Sequence, residues 1–285
     1  MPTTPSPLRY PGGKTAYAPM LQQIIRDNNL NGCDYIEPFA GGAGAAITLL
    51  LSGNVRSIWL NDLDYAIYAF WKAILDHAED FIALIKHKQI SVSEWYRQRD
   101  IYYSDSQDVL IRGFATFYLN RCNRAGILAA NPIGGLRQNG LYTIQSRFKK
   151  QVLIDKIRTI SKLRERIILS NADACDFLSD FIPKNTKTLI YFDPPYYQKG
   201  GLLYMNYFTH ADHKTLCESI RNCPHAWLLS YDDRQEIRTL YKGINTYQCA
   251  LRYTVVTPSI GKELIISDLI MPKSLTHINE VAHAG

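Results

Sequence analysis

The sequence has no Cys-x-x-Cys pair, and its six cysteines are scattered along 285 residues. Zinc sites and disulfide frameworks depend on regularly spaced cysteines, so we expect reduced, mostly buried thiols and no metal ion. No apolar run approaches the roughly 20 residues that cross a bilayer. The first residues also lack a basic segment followed by an apolar stretch. The sequence therefore predicts a cytoplasmic protein without membrane contact.

Positive charge is in excess in only one part of the chain. The formal net charge is +6, from 32 Lys and Arg against 26 Asp and Glu. Between residues 97 and 166, 14 basic and 5 acidic residues give +9, so the rest of the chain is slightly acidic. A basic block in a near-neutral protein is typical of a polyanion partner, although a solvated basic face has the same composition.

Strand and helix patterns alternate at both ends of the sequence but not in its middle. Apolar segments at 33–37 and 55–60 flank a glycine-rich loop and a buried helix over 45–51. This order is a βαβ unit and predicts a parallel sheet. From residue 66 to 163 only helical patterns occur, apart from a Gly/Asn/Arg-rich loop at 120–140. Further strands are predicted at 166–169, 188–192, 225–230, 246–250 and 263–269, with a helix at 212–221.

The most informative motif is Asp193-Pro194-Pro195-Tyr196, which follows the apolar strand at 188–192. Ligands of open α/β sheets bind at the carboxyl ends of the strands. Two consecutive prolines have no N–H donors and keep the backbone extended, so the Pro194 carbonyl is expected to lack an internal partner. A rigid turn is the alternative, and the aromatic residue that follows favours the functional interpretation.

A planar exocyclic amine such as adenine N6 matches these groups. Its lone pair is delocalised into the ring, and two acceptors, the Asp193 carboxylate and the Pro194 carbonyl, would favour tetrahedral geometry at nitrogen. An extruded base could stack on the Tyr196 ring, which is worth about 1–3 kcal/mol. On this hypothesis the Tyr196 hydroxyl is dispensable. Attack on a sulfonium methyl group is an in-line displacement that requires positioning and charge stabilisation rather than a metal.

A second constellation is the glycine-rich loop from Glu37 to Gly44, with Asp62 at the end of the next strand. Glycines allow a ligand to approach the backbone closely, and an acid at that strand end can accept hydrogen bonds from ribose hydroxyls. Both NAD and S-adenosylmethionine are compatible with this pair. Hydride transfer has no use for Asp-Pro-Pro-Tyr, so the sequence favours S-adenosylmethionine.

Several motifs occur in the order of one known family. They are Tyr10-Pro11-Gly12-Gly13-Lys14, Glu37-Pro38-Phe39, Asn61-Asp62, Asn120-Arg121, Asp193-Pro194-Pro195-Tyr196 and Lys262-Glu263-Leu264. Over almost the whole chain, the sequence resembles the Dam-type (D12 class, alpha-class) DNA adenine N6-methyltransferases. The resemblance implies an α/β fold, namely a Rossmann-like S-adenosylmethionine-dependent methyltransferase sheet with an inserted helical target-recognition domain. We assign the catalytic domain to residues 1–71 and 166–285, and the insertion to residues 72–165.

The resemblance also implies roles for individual residues. The predicted catalytic residues are Asp193, Pro194, Pro195 and Tyr196. The predicted cofactor-binding residues are Tyr10, Lys14, Glu37, Phe39, Gly41, Asp62, Leu63, Asp173 and Asp193, with Ala174 beside the cofactor adenine. The predicted DNA-binding residues are Asn120, Arg121, Asn123, Arg124 and Arg137.

The expected reaction is methylation of N6 of a flipped adenine in double-stranded DNA. The segment Asn120 to Ile127 differs from the form found in relatives that recognise GATC, so the recognition sequence stays open. Alternatives are methylation of cytosine N4, of adenine in RNA or of a glutamine side chain, and a catalytically silent DNA-binding relative. We expect a monomer or weak dimer. Whether a restriction endonuclease accompanies it is left open.

Overall fold

The computed structural model describes residues 4–10, 12–183, 186–197, 208–253 and 259–277, and only the backbone of 250–253, 259–262 and 277. The described chain contains one eight-stranded sheet in the order β3-β2-β1-β4-β5-β7-β6-β8. The strands are β1 (Asp34–Glu37), β2 (Ser57–Asn61), β3 (Ile167–Ser170), β4 (Thr188–Phe192), β5 (Ala226–Asp232), β6 (Thr246–Tyr253), β7 (Ser259–Ile266) and β8 (Thr276–His277). The first five are parallel, and β6, β7 and β8 pair antiparallel.

Helices connect the parallel strands and fill the middle of the chain. They are α1 (Ala18–Asp27), α2 (Gly44–Leu51), α3 (Tyr65–Asp76), α4 (Ala78–His87), α5 (Val92–Tyr103), α6 (Val109–Cys122), α7 (Lys150–Ser161), α8 (Ala174–Asp180), α9 (His210–Arg221) and α10 (Gln235–Leu240). Asp64 follows the second strand and precedes an apolar helical run, a position that predicts a helix cap, and it does cap α3 by accepting a hydrogen bond from Ala66 N at 2.8 Å. Within the described residues, no helix is long and apolar enough to cross a membrane.

The sheet is buried on both faces, as in parallel sheets covered by helices. Alternate residues of β4 belong to different hydrophobic clusters, Leu189 and Tyr191 to one and Ile190 and Phe192 to the other. β1 and β4 are neighbours in register, and Ile36 lies opposite Ile190. The chain runs outward from β1 to β2 and β3 before it returns to β4, so the strand order reverses between β1 and β4. The predicted Rossmann-like sheet is confirmed, and its carboxyl edge at this reversal is where ligands bind in such sheets.

The helical segment from α3 to α7 shares its core with one face of the sheet. Phe117 of α6 stacks on Phe70 of α3 with ring centroids 5.9 Å apart, and it meets the ring edge of Phe81 at 5.3 Å. Gly113 lets α6 approach α3 closely, because a Cβ there would lie 2.5 Å from the Ala69 carbonyl oxygen. The predicted boundary between residues 71 and 72 falls inside α3. The division into two domains therefore stays a prediction.

Two elements differ in extent from those predicted. α6 continues to Cys122, so Asn120 and Arg121 are helical, and the predicted loop runs instead from residue 123 to 149 with a 3-10 turn at Arg124–Gly126. Three successive buried residues, Phe117, Tyr118 and Leu119, anchor this end of the helix in the core. The last predicted apolar strand begins earlier, at Ser259, and ends at Ile266.

Candidate active site

Lys14 joins three distant segments at the carboxyl edge of the sheet. Its side chain is 7% exposed, and its Nζ lies 3.0 Å from Asp193 Oδ1 and 3.3 Å from Glu263 Oε1. Nζ also donates to the Tyr196 hydroxyl at 2.7 Å. A buried ammonium group needs such partners, because burial of an unpaired charge is very costly. The ion cluster therefore fixes the loop after β4 against β7 and the turn that precedes α1.

The two carboxylate oxygens of Asp193 have different surroundings. Oδ1 contacts Lys14 and accepts from Ser230 Oγ at 2.8 Å, and Ser230 is hydrogen-bonded to Tyr191 at 2.8 Å. Among the described residues, Oδ2 has no hydrogen-bond partner, and the side chain is 25% exposed. Burial raises the pKa of Asp193 above its ordinary value, and the Lys14 cation opposes that rise. Lys14 thus favours the ionised, acceptor form.

The Tyr196 hydroxyl is part of the same cluster. It accepts a hydrogen bond from Lys14 and donates a short one to Glu263 Oε1. Burial, followed by the charges of Asp193 and Glu263, raises its pKa well above the ordinary value of a tyrosine, so the hydroxyl keeps its proton. The hydroxyl thus joins the loop after β4 to Lys14 and Glu263, contacts that the sequence-based hypothesis of a dispensable hydroxyl did not include, and its role in methyl transfer stays a prediction. The residue is only partly buried, and an exposed portion of it remains available to a ligand.

Glu263 is a member of the ion cluster to which the sequence analysis assigned no role. It is 1% exposed, its Oε1 accepts from Lys14 and Tyr196, and its Oε2 accepts from the Tyr17 hydroxyl. The available signal was a single acid at the start of the apolar run Leu264-Ile265-Ile266. A carboxylate in such a buried strand requires a cation or several donors. The sequence did not show that the cation would be Lys14.

The glycine-rich loop after β1 is held by Asp62 and covered by Tyr10. Gly41 N donates to Asp62 Oδ2 at 2.8 Å, and the Gly41 carbonyl accepts from Trp71 Nε1 at 2.9 Å. The φ of Gly41 is +45°, and a Cβ there would lie 2.7 Å from the Tyr10 ring. Glycine is required because any side chain would displace Tyr10. Pro11, which belongs to the same sequence motif as Tyr10, lies outside the described residues.

The other predicted cofactor residues divide into accessible and buried ones. Leu63 is 50% exposed, Asp173 is exposed at the start of α8, and Phe39 is half-buried against the edge of Phe208. Burial raises the pKa of Asp62 to about 7, although Gly41 and Asp64 donate to its carboxylate. Glu37 is buried, and its Oε1 accepts from the Tyr35 hydroxyl and from Ala46 N at the start of α2. Glu37 therefore stabilises the start of α2, which follows the glycine-rich loop.

The predicted DNA-binding residues are not equally accessible. Asn120 and Asn123 are 1% and 0% exposed. Arg121 donates through Nε to the Arg147 carbonyl at 2.9 Å, and burial lowers its pKa to about 10. Arg124 and Arg137 are exposed. Arg121 is partly exposed, so the two asparagines are the inaccessible members of the set, and DNA contact by any of the five stays a prediction.

Two histidines at metal-like spacing have other partners. His210 Nδ1 lies 3.1 Å from the Tyr197 hydroxyl, and His213 Nδ1 lies 2.7 Å from the Tyr231 hydroxyl. The described part of the chain contains no group of three or more His, Cys, Asp or Glu side chains with metal-site geometry.

These features define a class of enzyme. An open α/β sheet with a glycine-rich loop after β1, an acid at the end of β2 and Asp-Pro-Pro-Tyr after β4 is the arrangement of a methyltransferase. The chain belongs to the D12 class N6 adenine-specific DNA methyltransferase family, whose model matches residues 10–255. The resemblance seen in the sequence is thereby confirmed. Membership implies the use of S-adenosylmethionine.

Solved structures of other methyltransferases are only distantly similar. TrmN from Thermus thermophilus is 11% identical with a TM-score of 0.40; the match covers 90% of this chain, which spans 49% of that protein. An RNA methyltransferase candidate from Pyrococcus horikoshii is 11% identical with a TM-score of 0.40, over 92% of this chain and 85% of that one. A methyltransferase candidate from Escherichia coli is 11% identical with a TM-score of 0.39, and the match covers 93% of this chain and 91% of that one.

Proposed function

We propose that this protein is a site-specific DNA methyltransferase that transfers a methyl group from S-adenosylmethionine to N6 of an adenine extruded from duplex DNA. The observation that carries the proposal is the state of Asp193. One of its carboxylate oxygens is held by Lys14 and Ser230, and the other is left for a ligand. Asp193 follows β4 directly, beside the end of β1, where the strand order reverses.

The residues at this edge fit S-adenosylmethionine. Gly41 and Gly42 pack closely against Tyr10, because a Cβ on Gly41 would lie 2.7 Å from the Tyr10 ring and one on Gly42 would lie 2.8 Å from the Tyr10 Cβ. Asp62, partly exposed at the end of β2, offers a carboxylate to the ribose hydroxyls. Leu63 and Asp173 lie at the ends of β2 and β3, where an adenine ring would meet one apolar and one polar side chain. When bound, the cofactor supplies an electrophilic methyl group on a sulfonium.

The protein's contribution to the reaction is to bind and orient the amine. Asp193 Oδ2 accepts one N–H group, and the Pro194 carbonyl, which has no donor among the described residues, accepts the other. Two acceptors direct the nitrogen lone pair out of the base plane. Methylation leaves the nitrogen with an extra proton, and the raised pKa of Asp193 makes Oδ2 a suitable first acceptor for it. Lys14 keeps the carboxylate in place throughout.

Charge favours DNA contact at the loop between α6 and α7. Residues 123–149 contain Arg124, Arg137, Arg147 and Lys149 and no acidic residue. All four are exposed. Phosphates attract such a surface, and an exposed arginine can also bind a guanine edge. We therefore propose residues 72–165 as the recognition region, with this loop as its DNA-facing part.

The proposal is tested by expressing the protein in a host that lacks DNA methylation. Single-molecule sequencing of the host DNA should show N6-methyladenine in one short sequence context, because both the modified base and its neighbours are recorded. Methylation at cytosine N4, or labelled methyl transfer to RNA and none to DNA, would replace the proposed substrate. DNA binding without cofactor binding would identify a silent relative, and cofactor binding without transfer to any nucleic acid would indicate another substrate, such as a glutamine side chain.

Arg124 and Arg137, which are exposed, should differ from the partly buried Arg121 in their effect on DNA binding. Arg124→Ala and Arg137→Ala should each weaken DNA binding. Loss of a phosphate contact should weaken it for all sequences and lower the slope of log affinity against log salt concentration by about one, whereas loss of a base contact should cost about 1–3 kcal/mol on cognate DNA alone. Arg121→Ala removes a guanidinium that bonds the Arg147 and Pro7 carbonyls, so it should mainly lower thermal stability. Titration of cognate and scrambled duplexes at several salt concentrations separates these outcomes. Unchanged affinity and specificity in both exposed-arginine variants would contradict the assignment of the loop.

A further inference from the structure

Asn120 holds the backbone of Arg9 by two hydrogen bonds. Its Oδ1 accepts from Arg9 N at 2.7 Å, and its Nδ2 donates to the Arg9 carbonyl at 2.8 Å. Nδ2 also donates to the Gly126 carbonyl at 2.9 Å. The side-chain amide therefore pairs with both backbone groups of Arg9, as a neighbouring strand would. It also bonds the turn that follows α6. It is 1% exposed, so these bonds are shielded from water.

The turn after α6 touches the same peptide. Gly126 has a φ of +80°, and a Cβ added there would overlap the Arg9 carbonyl oxygen. Arg9 in turn donates through its guanidinium to the Asn123 carbonyl at 3.0 Å. The segment before Tyr10 is thus fixed from one side by residues of the proposed recognition region.

Tyr10 continues this contact into the cofactor loop. A Cβ on Gly42 would lie 2.8 Å from the Tyr10 Cβ, and the ring of Tyr10 lies over Gly41. The Tyr10 carbonyl accepts from Gly13 N at 3.0 Å, which starts the turn that carries Lys14. A shift of the Arg9 peptide would therefore move both the ring over the glycine loop and the cation beside Asp193.

We infer that Asn120 is a positioning residue for the cofactor, acting through Arg9 and Tyr10, and that cofactor binding stabilises the turn at residues 123–126. The inference rests on the proposed function, because it assumes that S-adenosylmethionine binds beside Tyr10 and the glycine-rich loop. It assigns Asn120 to the cofactor site in place of the DNA contact predicted from the sequence.

The first test measures S-adenosylmethionine affinity by equilibrium dialysis in the absence of DNA. Asn120→Ala should raise the dissociation constant about tenfold or more, as should Gly126→Ala, which keeps the amide but displaces Arg9. The matched control is Asn28→Ala. Asn28 bonds Ile270 N and the Ile270 carbonyl, both at 2.9 Å, in the same two-point manner but at the end of α1. Its variant should lose stability and keep cofactor affinity.

The second test needs no substitution, so it decides the matter even when the variants fail to fold. Hydrogen exchange of the wild-type protein should slow on addition of S-adenosylmethionine in peptides that cover residues 4–13 and 120–128. Protection confined to the loops around residues 41, 62 and 193 would overturn the inference, as would variants that bind the cofactor like wild type. A wild-type protein that binds no cofactor would instead contradict the proposed function.

Discussion

We expect Asp193→Ala to abolish methyl transfer to DNA, and Asp193→Asn to reduce it by at least two to three orders of magnitude. Asparagine keeps the shape of the side chain but loses the charge that polarises the amine and receives its proton. The loss of one preorganised electrostatic contact at a reacting centre commonly costs about 10²–10³ in rate. Transfer of labelled methyl groups to a cognate duplex, measured under single-turnover conditions, gives the rate.

The control for this substitution is another buried carboxylate in an ion pair. Asp34 is 5% exposed and bonds Arg56 at the opposite edge of the sheet, at the start of β1. Asp34→Asn should lower the midpoint of thermal unfolding and leave transfer intact. Substantial residual transfer by folded Asp193→Ala protein would show that Asp193 is not the group that activates the amine.

Tyr196 should tolerate neither the loss of its hydroxyl nor the loss of its ring. Tyr196→Phe removes the acceptor for Lys14 and the donor to Glu263, and hydrogen bonds to charged groups are worth about 1.5–3 kcal/mol. We expect roughly a 10- to 150-fold loss of turnover from this variant. Tyr196→Ala should lose in addition about 1–3 kcal/mol of stacking on an extruded base. The comparison of turnover with fluorescence of a duplex that carries 2-aminopurine at the target separates the two contributions.

The two variants differ in what each assay should show. Phenylalanine should preserve the fluorescence change on DNA binding, because the ring remains, while turnover falls. Alanine should reduce both. A Phe variant with wild-type turnover would mean that the hydroxyl contacts seen with Lys14 and Glu263 have no role in transfer. If the Phe and Ala variants reduced both the fluorescence change and turnover to the same extent, the argument for stacking would be lost.

The parts of the fold that follow from local pattern were predictable. Apolar runs that end in glycine or aspartate predicted the βαβ unit. The position of Asp64 directly before a helical run predicted that it caps α3. The catalytic loop was recognisable because its residues are consecutive. Asp193 and Tyr196 need no knowledge of tertiary structure to be considered together.

The contacts that assemble the site were not predictable in this way. Lys14 and Glu263 meet only because β7 enters the sheet antiparallel beside β5, and no local pattern encodes that pairing. Asparagine is common in loops, yet α6 continues through Asn120, and its side-chain amide is buried against Arg9. A polar residue in a basic region was assigned to DNA because sequence alone gives no direction for its side chain.

The continuous core between the sheet and α3 to α7 limits how the proposed recognition region can be exchanged between relatives. Exchange of the whole region 72–165 with that of a relative would cut α3 and replace Phe81 and Phe117, the ring partners of Phe70. Such chimaeras should fold poorly. A smaller exchange would cover only the loop at 123–149 that we propose to face DNA, and within it Gly126 must be retained because the Arg9 carbonyl leaves no room for a side chain. Libraries that vary only the exposed positions of this loop would therefore test whether it sets the DNA specificity that we propose.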